Sequence, residues 1–318
     1  MKDRIILSIV IPTSNRWKFL EGALQSIMEQ SADRNLYEVI VVDNGSTDNT
    51  YEIALKYQDK IKNFRYIYDS RPGLHVGRNR GIKESRGNLI GYLDDDVILF
   101  PDWINAVLNA FVDKNVMCVG GSVVPYNMNL FTNEFRKKYE IIKGSYHFIY
   151  CISCFWEKDI SEEDKKVAIL KPGMLIGANC VFRKKVLSEC KGFHPDGMPN
   201  HLLMYRGDGE TYVENFLHKN QMKTVYCAQA SVYHMIDANR VSDSYIAYMH
   251  FRSGISAMYT TLRKNGLWGG LENLYIGCKM LNLAQKDTIQ FMWGKLYLFL
   301  YYLCYKRVRK WVHKKSYF

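Results

Sequence analysis

Asp94, Asp95 and Asp96 stand inside the stretch LIGYLDDDVILFPDW, Leu89 to Trp103, where an apolar run leads straight into three adjacent carboxylates. Like charges this close destabilise one another's ionised forms, and burial adds a desolvation cost. Two arrangements relieve it: a solvated turn, or a divalent cation among the carboxylate oxygens. A second acidic group lies in MYRGDGETYVENFL, where Asp208 and Glu210 precede a helical pattern. An Asp there can sit at a helix N-cap with the Glu in the first turn, and it can also be held as a general base.

These residues need elements to position them. RIILSIVIPTSNR is an apolar, β-branched run that breaks at Pro12 into Thr13, Ser14, Asn15 and Arg16. YEVIVVDNGSTDNT breaks likewise at Asp43, Asn44 and Gly45, and GNLIGYLDDD at Asp94. Continuous apolar runs, rather than alternation, predict parallel strands covered on both faces. Helical patterns fall between them: Lys18–Gln30, with Phe19, Ala23 and Ile27 on one face, and Asp48–Tyr57, with Asp48 near the N-cap. Strand–helix–strand alternation predicts an open α/β sheet with right-handed crossovers. The polar strand ends then face one crevice, where such sheets bind ligands.

The chain has 318 residues, 47% of them hydrophobic and 14% aromatic, which argues against disorder. Its net charge of +11 is unevenly placed, because KRVRKWVHKKSYF at the C-terminus holds six cations and no acid. A nucleic-acid binder spreads its basic residues over a folded face, so that class is disfavoured. Eight cysteines are scattered, with one CxxC pair at Cys151 and Cys154 and no second pair to complete a zinc site. Free thiols and the lack of a secretory signal pattern at MKDRIILSIVIP predict a cytoplasmic body.

From about Ser242 the pattern turns helical, with one helix ending near Gly266, a second over LENLYIGCKMLNLAQ and a third from Thr288 onward. Leu296–Tyr305 is apolar or aromatic throughout, bracketed by Lys295 and Arg307, and too short to span a bilayer. It either lies in the interface of an anionic membrane or packs as a core helix. The expected organisation is a catalytic domain over 1–240 and a helical region over 241–318. The expected location is peripheral, on the inner face of the plasma membrane.

Taken in order, four motifs resemble those of the family 2 glycosyltransferases. IVIPTSNR is similar to the family's opening strand and turn. VVDNGSTDNT is similar to its second-strand signature, usually Asp-Asp-Gly-Ser. RPGLHVGRNRGIKESRGNLIGYLDDD resembles its Gly-Leu…Ala-Arg-Asn-x-Gly…Leu-Asp-x-Asp block, and IGANCVFRKKVLSECKGF its Gly-Ala-Asn…Arg…Gly-Phe segment around the sugar. The resemblance covers roughly Ile6 to Arg240. It implies the glycosyltransferase-A fold, a mostly parallel sheet flanked by helices, here with a C-terminal helical extension.

The resemblance also implies roles. Asp96 ligates Mn²⁺ or Mg²⁺, which stabilises the diphosphate leaving group as a Lewis acid. Asp94 and Asp95 help hold the ribose and diphosphate of a nucleotide-diphosphate sugar. Pro12, Thr13 and Asn15 belong to the donor turn, and Thr13 with Asp43 or Asn44 meets the nucleobase. The family often has Asp where this chain has Asn44, and an amide donates as well as accepts, so the base stays open. Arg16 and Arg78 meet the donor's charged part, while Asn79 instead orders the loop backbone. Gly177 and Asn179 flank the sugar. Asp208 aligns with the general base, with Glu210 second and Gly207 in place of a preceding Glu. His234 falls where some members place a third metal ligand; a structural histidine is the other reading. Trp156 is an acceptor platform or core, with core favoured. His75, His194 and His201 have no partner that the sequence names.

The expected activity is a metal-dependent, inverting transfer of a sugar to a glycan or lipid-linked acceptor, in polysaccharide or glycan biosynthesis. A sugar nucleotidyltransferase is the rival enzyme, but PTSNRW lacks the glycines of a phosphate loop. A membrane-associated, glycan-binding scaffold is the non-enzyme reading.

Overall fold

The computed structural model describes residues 5–130, 177–280 and 286–317. Cys151, Cys154 and Trp156 lie outside the described residues.

The three apolar runs are strands β1 (Leu7–Thr13), β2 (Tyr37–Asp43) and β4 (Leu89–Leu93), and every residue in them is buried. With β3 (Phe64–Tyr68) they form four parallel neighbours, joined by three helices that cover the sheet. α1 spans Trp17–Met28, α2 Thr50–Gln58 and α3 Leu74–Glu84. On α1 the buried stripe runs through Leu20, Ala23, Leu24 and Ile27. Phe19, expected in that stripe, instead lies under the Arg16 guanidinium at 4.4 Å. On α2 Asn49 takes the cap position, while the Asp48 carboxylate accepts from Thr50 N at 3.1 Å. α3 lies hard against β1, because a Cβ at Gly81 would come within 2.3 Å of Val10 Cγ1.

The sheet continues past β4 as β8 (Asn179–Arg183), β6 (Val116–Gly120) and β9 (Lys223–Tyr226), in the order β3-β2-β1-β4-β8-β6-β9. Only β8 runs antiparallel to its neighbours. A smaller sheet joins β5 (Val97–Leu99), β10 (Val232–His234) and β7 (Val123–Pro125). β5 follows the acidic triplet directly, and the antiparallel register sets His234 opposite Val97. That register, with Met235 N donating to Asp96 O at 2.8 Å, carries His234 to the triplet.

α4 (Trp103–Ala110) and α5 (Lys184–Glu189) cover the sheet, and α6 (Gly209–Lys219) starts just after Asp208. The C-terminal region is α7 (Asp243–Met280), broken at Gly266, then α8 (Lys286–Cys304) and the short α9 (Lys306–Val312). The expected helix end at Gly266 is therefore a kink, with φ of 63°, inside a longer run. α7, α8 and α9 share a second core of Ile255, Met258, Tyr259, Leu262, Leu298, Phe299, Tyr302, Val308 and Val312, with Leu203 from the catalytic side. Among the described residues no helix is long and apolar enough to cross a membrane. The aromatic stretch of α8 is two-faced: Leu298, Phe299 and Tyr302 are buried, while Leu300 and Leu303 are exposed.

Candidate active site

The carboxyl ends of β1, β2 and β4 meet at a cavity of about 410 Å³, lined by Pro12, Thr13, Arg16, Asn44, all three aspartates and Arg240. The triplet is divided by the turn that follows β4, and each carboxylate has its own partners.

Asp95 faces the β1 turn. It accepts from Thr13 Oγ1 at 2.7 Å and from Arg16 Nε at 2.8 Å. Burial pushes its pKa up to about 6, with Arg16 opposing and the neighbouring Asp96 adding to the rise.

Asp96 is almost wholly buried. Its Oδ2 takes Arg16 at 2.5 Å and Arg240 at 3.3 Å. Burial alone would raise its pKa, but contact with His234 and the two guanidiniums outweighs that and holds Asp96 well below the usual carboxylate range. His234 Nε2 lies 3.2 Å from Asp96 Oδ1, an ion-pair distance. The direction is wrong for a hydrogen bond, and this buried oxygen has no hydrogen-bond partner. Arg240 NH1 also sits 3.3 Å from His234 Nε2. The His234 ring nitrogen thus stands between a guanidinium and a carboxylate. An imidazole nitrogen and a buried carboxylate oxygen without a hydrogen-bond partner are thus set side by side, two atom types that ligate divalent cations.

Asp94 turns the other way and accepts from Arg78 NH2 at 3.0 Å. Arg78, on α3, is 1% exposed, and it also donates to Gly177 O at 2.9 Å and Glu210 Oε2 at 3.3 Å. His75 precedes Arg78 by three residues on the same face of α3, and its Nε2 is 3.5 Å from Glu210 Oε2. Burial would raise the Glu210 pKa, but the bond to His75 and the charge of Arg78 hold it well below its ordinary value. Glu210, in the first turn of α6, is thus tied to the acidic triplet through one guanidinium.

Asp208 sits at the N-cap position of α6 but makes no capping bond. Its Oδ1 meets His194 Nδ1 at 2.7 Å, and its Oδ2 accepts from Thr260 Oγ1 of α7 at 2.7 Å. Its side chain is 8% exposed, against 19% for Glu210.

The other expected residues divide between the cavity and its supports. Asp43 and Asn44 alternate as strand residues do. Asn44 enters the cavity, with its amide on Arg71 O at 3.2 Å, while Asp43 binds Tyr66 Oη at 2.6 Å and Ser46 N at 2.8 Å. Asn15 holds the β2–α2 loop through Thr47 N at 2.7 Å. Asn179 is spent on the core, accepting from Trp103 Nε1 at 2.9 Å and donating to Ala230 O at 2.8 Å. Asn79 clasps Phe193 N and O, at 2.9 and 3.0 Å, and so orders the loop after α5. His75, His194, Arg240 and Arg252 were given no role in the sequence reading. Arg240 and Arg252 line the cavity, and His75 and His194 each meet a candidate base. The His75–Arg78 spacing on one helix was the signal available for the first of these.

Residues 8–191 match Glycosyl transferase family 2, and the chain belongs to that family. It is 33% identical over 118 residues to Glycosyltransferase AglE of Haloferax volcanii, covering 37% of this chain and 39% of that protein. It is 34% identical over 107 residues to the Validoxylamine A glucosyltransferase of Streptomyces hygroscopicus subsp. jinggangensis, covering 33% of this chain and 25% of that one. The matched segments are thus well under half the length of these relatives. Among solved structures, the mannosyltransferase PcManGT of Pyrobaculum calidifontis, in complex with GDP-Man and Mn²⁺, superposes with a TM-score of 0.54 at 16% identity, over 97% of this chain and 83% of that one. S. aureus TarS gives 0.51 at 15% identity, over 98% and 46%. At such identities the likeness is one of fold: the mostly parallel sheet between helices of the glycosyltransferase-A class.

Proposed function

We propose that this chain is a metal-dependent, inverting glycosyltransferase that moves a sugar from a nucleotide-diphosphate donor to a glycan or lipid-linked acceptor. The observation that carries the reading is the approach of Asp96 Oδ1 and His234 Nε2 to 3.2 Å, with the buried carboxylate oxygen lacking a hydrogen-bond partner. Two cis ligands of an octahedral ion with ~2.1 Å bonds stand about 3 Å apart, so these atoms fit Mn²⁺ or Mg²⁺. Among the described residues no third His, Cys, Asp or Glu joins them, so Asp96 and His234 are the side chains that would hold the ion. Bound there, the ion supplies Lewis-acid stabilisation of the departing diphosphate.

The chain's own residues do the rest. Arg16 and Arg240 offer fixed positive charge beside the same carboxylate, where leaving-group charge develops. Thr13 and Asn44 face the nucleoside end, and Asp95 the ribose. Asp94 and Arg78 fix the cavity wall behind the sugar. As the acceptor oxygen bonds to the anomeric carbon and the bond to diphosphate breaks, the acceptor proton passes to a carboxylate. Glu210 takes that role, because its side chain is the more accessible of the two. Asp208, expected as the base, has both oxygens engaged and acts by holding the start of α6. The exposed aromatic and apolar faces of α7 and α8, with the cations of α9, support peripheral contact with an anionic membrane.

Calorimetric titration with UDP, GDP, dTDP and CDP, each with and without Mn²⁺, tests the donor site. One nucleotide is expected to bind in a metal-dependent way, and Asp96→Ala to abolish it. A folded protein that binds none of the four would overturn the reading.

A further inference from the structure

A second and larger cavity, of about 640 Å³, lies on the outer side of α3, between that helix, the loop near Pro195 and α9. It shares only Pro72, Gly73 and Met198 with the donor-side cavity. None of the roles proposed above uses it.

Its lining is divided by chemistry. Val76, Met198, Leu202 and Trp311 make an apolar floor, while five cations and a single carboxylate, Asp196, complete the wall. Asp196 is already paired with Arg206. Arg71 and Arg80 are matched by Asp69 and Glu84, neither of which faces the cavity. Arg307 and Lys314 differ. Their neighbours are rings: Tyr305 at 5.5 Å for Arg307, Trp311 and Tyr317 at 5.5 and 5.4 Å for Lys314. Among the described residues neither meets a carboxylate. His75 lines the same cavity, is 2% exposed, and its Nδ1 has no hydrogen-bond partner.

A nucleoside is a poor match. The Asn79 amide is spent on Phe193, and Trp311 Nε1 on Tyr205 O at 2.8 Å. The aromatic rings contact one another and Lys314, with Tyr205–Trp311 and Trp311–Tyr317 centroids at 5.3 and 5.0 Å. Groups that could read a base edge are committed, whereas positive charge and apolar surface are left over. The volume is that of a small-molecule site.

We propose that this cavity binds a phosphomonoester lipid, with the phosphate between Arg307 and Lys314 and the apolar stem along Val76, Leu202 and Trp311. A phosphomonoester carries between one and two negative charges near neutrality against one for a phosphodiester, so it gains more from two cations. The source of the phosphate is a membrane lipid. α9 follows directly from α8, whose exposed face includes Trp293 at 57%, and α7 exposes Trp268 at 80%. The inference rests on the membrane-contact part of the reading above and narrows it from a surface to a built site.

The test titrates the full chain with dioctanoyl phosphatidate below its micelle concentration, alongside glycerol 3-phosphate and dioctanoyl phosphatidylglycerol. Saturable binding of the phosphatidate is expected, about tenfold tighter than either comparison ligand. The double variant Arg307→Ala/Lys314→Ala is expected to lose about tenfold in affinity. Leu202→Trp fills the cavity without changing charge and is expected to block binding, with Val76→Trp as a second filling variant should the first misfold. Equal binding of glycerol 3-phosphate would mean a soluble-phosphate site, and equal binding of phosphatidylglycerol a generic anionic contact. Either result, no binding, or undiminished binding in the filled variants would overturn the proposal. Nucleotide binding with Mn²⁺, read on the same samples, separates failure of this site from failure of the donor reading.

Discussion

Arg78 organises the centre of the site. A buried guanidinium is costly unless its charge is matched, and here Asp94, Glu210 and the Gly177 carbonyl match it. The same contacts keep Glu210 ionised, as a proton acceptor must be before reaction. Glu210→Gln is therefore expected to lower kcat by ~10²–10⁴-fold while nucleotide binding persists. Asp208→Asn weakens the bonds to His194 and Thr260, so it should cost ~1–3 kcal/mol of stability with a smaller loss of rate. Steady-state kinetics and thermal melting of the two variants check this. An active Glu210→Gln enzyme beside a dead but fully stable Asp208→Asn enzyme would restore Asp208 as the base. Sequence spacing put both acids at the start of one helix. It had no means of saying which one turned toward α7.

At the scale of elements, two close approaches set the architecture. β10 runs antiparallel to β5, and that register alone delivers His234 to Asp96 across 138 positions of chain. α7 and α8 cross with their backbones nearly touching. A Cβ on Gly254 would lie 1.9 Å from Phe291 O, and one on Gly294 would lie 1.9 Å from Phe251 O. Helix propensity favours Ala over Gly by ~1 kcal/mol in a helix interior. Overpacking against a carbonyl opposes it by ~1–3 kcal/mol or more. The clash should win, so Gly254→Ala is expected to lower the urea midpoint; a raised midpoint would mean that the helices cross less tightly. The helical pattern after Ser242 was visible in the sequence. The reciprocal glycine contact was not, because it depends on where two helices cross.

At the scale of the whole molecule, the C-terminal helices pack on the α/β body as well as presenting an exposed face. Thr260 reaches Asp208, and His194 on the other side of that carboxylate stacks on Tyr212 with ring centroids 3.6 Å apart. Burial lowers the His194 pKa below 6.5, against the raising effect of its bond to Asp208. The sign follows directly. Below about pH 6.5 the unfolded chain takes up a proton that the folded protein refuses, so stability falls as pH drops toward the folded pKa. Each unit of pKa difference is worth ~1.4 kcal/mol. Denaturant unfolding between neutral pH and pH 5 should show this loss, and His194→Gln should flatten it. An unchanged slope in the variant would assign the acid sensitivity elsewhere.

The alternation of buried runs and helical stripes was enough to read a mostly parallel α/β sheet, because strand burial and helix amphipathicity are local patterns that one chain carries in its own order. It was also enough to bring Thr13, Arg16, Asn44 and the three aspartates to one crevice, since strand ends in such a sheet share an edge. The division of labour among those acids was decided only in three dimensions. Asp95, Asp96 and Asp94 are adjacent in sequence, yet they face Thr13, His234 and Arg78 respectively. Likewise Asn179 bonds Trp103 in the core, and Asp208 meets Thr260 of α7. A carboxylate's partner depends on which distant groups burial brings within hydrogen-bond reach, and that is a property of the assembled fold rather than of residue order.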